Sequence, residues 1–156
     1  MNITIVCVGK IKESFYREAV GEYAKRLSRF CKFEIIEVSE ELCNNPNQKN
    51  ILAVKKSEGQ RIIDNLKGFV CVLDIHGKQM PSESFASKIK DLAVNGVSHI
   101  TFVIGGSFGL DSSILSSANM SISFGQVTYP HQLMRVILAE QIYRAFMINE
   151  GSPYHK

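Results

Sequence analysis

The chain has 156 residues, with 18 Lys and Arg against 15 Asp and Glu, a formal net charge of +3, 45% apolar residues and 21% charged ones. That balance belongs to one globular domain burying about two-thirds of its unfolded surface, and it excludes bulk disorder, a histone-like coat of positive charge, and folds that carry large lids or a second substrate domain. Cys7, Cys31, Cys43 and Cys71 stand far apart with no C-x-x-C pair, and Cys7 and Cys71 fall in strand-like runs where a thiol acts as a small hydrophobe, so a reduced, cytoplasmic protein is expected.

Residues 3–8 are β-branched and apolar and close on Gly9, the pattern of a buried strand and a turn. That run is too short for a signal sequence or a membrane span, so no membrane association is expected. From Glu13 to Phe30, Phe15, Ala19, Tyr23 and Leu27 recur at helical spacing against Lys12, Arg17, Lys25, Arg26 and Arg29, predicting an amphipathic, basic helix. Phe33 to Val38 reads as a second strand, Asn44-Asn45-Pro46-Asn47 as a loop, and roughly 48–66 as a second helix carrying Ile51, Val54, Ile62, Ile63 and Leu66. Phe69 to Ile75 is a third strand running into a turn at Asp74-Ile75-His76-Gly77-Lys78, and Ser82 is expected to cap a third helix holding Phe85, Ile89 and Leu92. A fourth strand spans His99 to Ile104. After it come a glycine-rich turn, a short helix from about Asp111, a fifth strand from Met120 to Phe124, the loop Gly125 to Tyr129 and a final helix from Pro130. Strands alternating with helices predict a single α/β domain with a mainly parallel sheet, its ligand site at the carboxyl ends of the strands.

Gly105-Gly106-Ser107-Phe108-Gly109 matches G-x-S-x-G between a strand and a helix, the nucleophile-elbow pattern. A hydrolase then needs a later acid and histidine; Asp111, Glu140, His131 and His155 are loose candidates, and the chain is short for that fold. The same glycines equally make a turn that lets the backbone approach a ligand, although the spacing fits neither a dinucleotide fingerprint nor a P-loop. His76, His99, His131 and His155 never fall at metal-ligand spacing, so no metal is expected.

The last helix is apolar nearly all round, from Leu133 and Met134 to Met147 and Ile148, which in so small a domain predicts a subunit interface. Glu140 and Arg144 share a stripe at i, i+4. Arg135 lies on the face of Leu138, Ile142 and Phe146 in the first turn, where a cation opposes the helix dipole, so it is expected to brace the preceding loop or meet a ligand. The tail Gly151 to Lys156 ends on an aromatic ring, an imidazole and a cation, groups suited to stacking, proton transfer and phosphate contact.

Four stretches together carry a resemblance: Val72-Leu73-Asp74-Ile75-His76-Gly77-Lys78, Phe102 through Leu110, Thr128-Tyr129-Pro130-His131-Gln132-Leu133-Met134-Arg135-Val136 through Glu140-Gln141-Ile142-Tyr143-Arg144-Ala145, and Pro153-Tyr154-His155-Lys156. The chain resembles, from its Ile-Val-Cys-Val-Gly-Lys start to its last residue, the family of ribosomal RNA large-subunit methyltransferase H enzymes in the SPOUT superfamily. The resemblance implies one SPOUT domain over residues 1–156, an α/β sheet flanked by helices with a deep C-terminal trefoil knot over roughly 70–156. It also implies a homodimer, bent S-adenosylmethionine in the knot, and methylation of N3 of a pseudouridine in 23S rRNA within the ribosome.

Cofactor contacts then fall on Leu73, on Gly105 and Gly106, and on the loop Phe124, Gly125, Gln126, Val127, Thr128 and Tyr129. Arg144 and Arg135 would position cofactor, RNA or developing negative charge, while Tyr154 and His155 contact the target base, across the dimer or within one chain. Phe108 and Gly125-Gln126-Val127 depart from the family pattern. RNA contact would fall to Lys12, Arg17, Lys25, Arg26 and Arg29, to Lys55 and Lys56, and to the tail. The rival readings are a small G-x-S-x-G serine hydrolase and a non-catalytic RNA-binding knot dimer.

Overall fold

The computed structural model describes residues 1–155, so Lys156, on which the last motif closes, lies outside the described residues. Strands and helices alternate as β1 (Asn2–Val8), α1 (Ser14–Leu27), β2 (Lys32–Val38), α2 (Gln48–Ile63), β3 (Phe69–Lys78), α3 (Ser82–Val94), β4 (His99–Ile104), α4 (Ser112–Ser117), β5 (Met120–Ile122) and α5 (His131–Asn149). The strands pair in parallel in the order β2-β1-β4-β3-β5, which places the ends of β3, β4 and β5 side by side.

Parallel strands are covered on both faces, and β1 shows how the sequence does it. Ile3, Ile5 and Cys7 point into a core shared with Leu27 of α1, Phe85 of α3 and Leu138 of α5. Val6 and Val8 point the opposite way, toward Ile62 of α2 and Ile114 of α4. Each fully buried aliphatic chain of this kind contributes about 1.5–3 kcal/mol. The last helix lies between α1 and α3 on the first face, which accounts for much of its apolar circumference.

Three local expectations change. Ser82 does not cap α3: Pro81 holds the cap position with no side-chain hydrogen bond, and the Ser82 hydroxyl donates to Gln141 Oε1 at 2.9 Å. The turn expected at Asp74 to Lys78 is a bulge inside β3, because Leu73 and Lys78 both face Ile122 of β5. Gly77 permits the bulge, since a Cβ there would stand 2.5 Å from the Ile122 carbonyl carbon. The fifth strand stops at Ile122, where Ser123 turns the chain by donating its hydroxyl to the Gly125 carbonyl at 2.9 Å.

Candidate active site

The ends of β3, β4 and β5 and the first turn of α5 enclose a cleft of about 270 Å³. Leu73, Asp74 and Ile75 form one wall. Gly105, Gly106 and Ser107 form the next, in a turn closed by the Gly109 amide donating to the Gly106 carbonyl at 3.0 Å. The third comes from Phe124, Gly125, Val127, Thr128 and Tyr129, and α5 adds His131 and Met134. Eight of the nine residues expected to hold the cofactor thus line one cleft. Gln126 does not line it and is exposed.

Burial, and after it the Arg135 charge, hold the His131 imidazole below its ordinary range, favouring the neutral ring in the cleft. Ser107 Oγ lies 3.5 Å from His131 Nε2 and 3.5 Å from Glu40 Oε1, which ties the β2–α2 connection to the rim. Behind the glycine turn sits the Glu58 carboxyl, 3% exposed, whose Oε1 accepts the Glu41 amide at 3.0 Å. Its Oε2 is unpartnered among the described residues and stands 2.6 Å from where a Cβ on Gly106 would be. Burial, reinforced by the Glu40 charge, pushes this carboxyl above the usual range.

Arg144, Tyr154 and His155 come together in a second group. Arg144 Nε donates to Glu140 Oε1 at 2.9 Å, the Tyr154 hydroxyl donates to the same oxygen at 3.2 Å, and the guanidinium covers the Tyr154 ring at 4.8 Å. His155 lies between Arg144 Nη1 at 3.3 Å from its Nδ1 and Glu83 Oε1 at 3.0 Å from its Nε2. Burial, then the Glu140 charge, push the Tyr154 phenol up to about 12, so it stays protonated and donates.

Arg135 stands apart from that group. It is 1% exposed, and its guanidinium donates to Glu37 Oε1 at 2.9 Å and to the Val8 and Gly9 carbonyls at 2.8 and 2.9 Å. It braces the ends of β1 and β2, not the loop that precedes α5. That interaction fixes the helix turn that presents His131 and Met134 to the cleft.

The elbow reading lacks its geometry. A triad needs an acid that orients the histidine ring, whereas Glu40 faces Ser107 itself. Asp111 is engaged in capping α4 through the Ser113 amide at 2.9 Å, and Glu140 and His155 belong to the tail group. Sequence reasoning missed Asp74, Ile75 and Met134, and weighed His131 only as a hydrolase base. Asp74 and Ile75 follow Leu73 on a strand end and were open to the strand-end argument. Glu58 lies inside α2 and carries no sequence signal.

A parallel α/β sheet whose three adjacent strand ends and glycine turn enclose a small cleft defines a protein that binds a nucleoside-like ligand at the carboxyl edge. The chain belongs to the SPOUT methyltransferase family: the family described as "Predicted SPOUT methyltransferase" matches residues 1–155. It is 56% identical over 159 aligned positions to a protein of Latilactobacillus sakei named "Ribosomal RNA large subunit methyltransferase H", and 51% identical over 159 positions to one of the same name from Clostridium novyi, with all of both chains covered in each case. A probable methylase family protein from Haemophilus influenzae shares the fold, with TM-score 0.54, 14% identity, 99% of this chain and 70% of that one.

The cleft fits S-adenosylmethionine, the cofactor of such an enzyme. Ile104, Leu110, Ile122 and Val127 give the cleft apolar surface beside glycine-lined turns, and Asp74 and Ser107 give it polar side chains, the mixture that a nucleoside bearing a charged amino-acid part requires. Among the described residues no cluster of metal-ligating side chains occurs, and no helix is long and apolar enough to cross a membrane.

Proposed function

We propose that this chain methylates large-subunit ribosomal RNA in the cytoplasm, at N3 of a pseudouridine, on assembled ribosomes and as a homodimer. The observation that carries the reading is a strand-end cleft built from Leu73, the glycine turn and the Phe124 to Tyr129 loop, with the Arg144, Tyr154 and His155 group further along the same α5 that lines it, in a chain alike along its whole length to proteins named for ribosomal RNA methylation. When bound, S-adenosylmethionine supplies a sulfonium methyl group that is already electrophilic, so no covalent nucleophile is needed and Ser107 is free of that duty.

The protein's part is alignment and charge. Leu73, the glycine turn at Gly105 and Gly106, and the Phe124 to Tyr129 loop hold the donor, with Gln126 on the outer rim. The N3–methyl bond would form as the sulfonium–methyl bond breaks to leave a neutral thioether, the N3 proton passing to water, and Arg144 answers the negative charge that develops on the base. The protonated Tyr154 and the His155 ring contact that base. Arg135 acts as a positioning residue through α5. Threading from about residue 70 onward as a trefoil knot belongs to the same proposal, on the ground of family. So does pairing of two copies through α5, where Leu133, Val136 and Ile137 remain only half-buried although α1 and α3 flank the helix.

Ribosomes from a strain lacking the enzyme, incubated with labelled S-adenosylmethionine and this protein, are expected to gain one methyl group that maps to N3 of a pseudouridine. Arg144→Ala and His155→Ala, made separately, are each expected to lower turnover by about 10²-fold or more. Unchanged turnover in both sinks the assignment.

A further inference from the structure

Beside the methyl-donor cleft lies a second one, of about 310 Å³, between the start of α3, the end of β5 and the middle of α5. Ile122, Ser123 and Phe124 line both, so the two clefts adjoin there. The second cleft adds the Phe85 ring, the Met80 thioether and the polar side chains of Gln79, Ser82 and Gln141. Aromatic faces with a few fixed amide and hydroxyl groups suit a nucleobase turned out of its stack, which is read by stacking on its face and hydrogen bonds on its edge.

Gln141 supplies the reading edge. Its Oε1 accepts from the Ser82 hydroxyl at 2.9 Å, and its Nε2 donates to Glu140 Oε2 at 2.7 Å. A carboxamide has two acceptor sites and two N–H groups, so among the described residues one of each is left for a ligand. The same Glu140 carboxylate holds Arg144, Arg144 meets His155, and His155 meets Glu83, the neighbour of Ser82. This circuit of polar contacts fixes the amide in the cleft wall and joins it to the residues placed next to the reacting base.

We propose that the second cleft holds the accepting base and that Gln141 recognises its N1–H and C2 carbonyl, an edge that a uracil ring presents only when it is joined to ribose through carbon. In uridine N1 is the glycosidic nitrogen and carries no proton. In pseudouridine N1–H sits next to the C2 carbonyl, a donor and acceptor that match the free acceptor and donor of the amide. N3 lies on the other side of C2 and is left free of Gln141, so it can be offered to the donor where the two clefts adjoin at Phe124. The assignment rests on the ribosomal RNA reading and gives it a specificity-determining side chain, with Ser82 as a positioning residue acting through Gln141.

The test uses two kinds of ribosome, one with pseudouridine at the mapped target and one in which that base is left unisomerised as uridine. Wild type, Gln141→Met and Ser82→Ala are compared on both, and the affinity of each for S-adenosylmethionine is measured by calorimetry. Gln141→Met is expected to lower the pseudouridine-to-uridine ratio of kcat/KM by about tenfold or more, and Ser82→Ala to lower it by less, chiefly through KM, with cofactor affinity unchanged within about twofold in both. A ratio that neither variant moves overturns the assignment and leaves the methyltransferase reading standing. A wild type that methylates uridine as readily as pseudouridine also overturns it alone. Failure of the wild type to methylate any pseudouridine overturns both.

Discussion

Glu58 keeps one buried oxygen without a partner among the described residues and has its titration raised by burial. A carboxyl whose folded pKa is raised contributes stability that is fully present below its ordinary value of 4.5 and is lost as pH rises through the folded value. Glu58→Gln keeps an acceptor for the Glu41 amide and removes that loss. The melting temperature of the variant relative to wild type is therefore expected to climb as pH rises above 4.5; a difference that stays constant as pH rises would show that Glu58 does not titrate abnormally. Gly106→Ala makes the complementary test, because its Cβ would stand 2.6 Å from Glu58 Oε2. It is expected to cost about 1–3 kcal/mol in denaturant unfolding and to weaken cofactor binding, since the turn that must shift lines the cleft. Combining it with Glu58→Ala, which vacates the space, is expected to recover part of both losses. The glycines were legible in the sequence as a ligand turn, whereas their need to be glycine was not, because it comes from a helix nearly fifty residues earlier in the chain.

At the scale of elements, α5 is a helix set by its first turn. Arg135 ties that turn to the Val8 and Gly9 carbonyls and to Glu37, and Gln132 Oε1 accepts the Lys12 amide at 2.7 Å. Arg135→Met keeps the unbranched stem as far as Nε and removes the guanidinium from the Val8 and Gly9 carbonyls and from Glu37, whose Oε1, among the described residues, keeps only the Ile11 amide at 2.9 Å, so a loss of about 3 kcal/mol is expected in denaturant unfolding. Because His131 and Met134 ride on the same turn, affinity for S-adenosylmethionine should fall in calorimetry even where the variant is fully folded, and unaltered affinity would separate the brace from the site. The oddity of Arg135 was visible as a cation on an apolar face; its partners were not, since they lie about a hundred residues or more away at the ends of β1 and β2. Strand and helix order was legible throughout, because β-branched runs such as Ile3 to Val8 and the helical spacing of α1 are local signals. The bulge in β3 was not, as it depends on the register with a strand of three residues.

For the whole molecule, the layers sort the basic residues. Lys12, Arg17, Lys25, Arg26 and Arg29 lie on or beside α1, on the sheet face that also carries α5 and the tail group, whereas Lys55 and Lys56 lie on α2 across the sheet. One flat RNA surface therefore cannot engage both sets on a single copy. The first set is also partly committed: Arg26 pairs with Glu22 at 2.8 Å, Arg29 covers the Phe30 ring at 4.9 Å, and Arg17 donates to the Ile11 carbonyl. Lys12 and Lys25 are the lysines of that set left uncommitted among the described residues, and they are its strongest candidates for phosphate. Removing one lysine–phosphate pair lowers the slope of log affinity against log salt by about 0.7–0.9. Lys12→Ala combined with Lys25→Ala is therefore expected to reduce the slope for ribosome binding by about 1.5, with cofactor affinity unaltered, and the Lys55→Ala, Lys56→Ala pair is expected to leave it unchanged. Equal effects from the two pairs would mean that RNA wraps both faces, and with a net charge of only +3 per copy such wrapping would have to draw on the second subunit. A slope carried by the α1 face alone instead places the ribosome against the same side of the sheet as Arg144 and the tail.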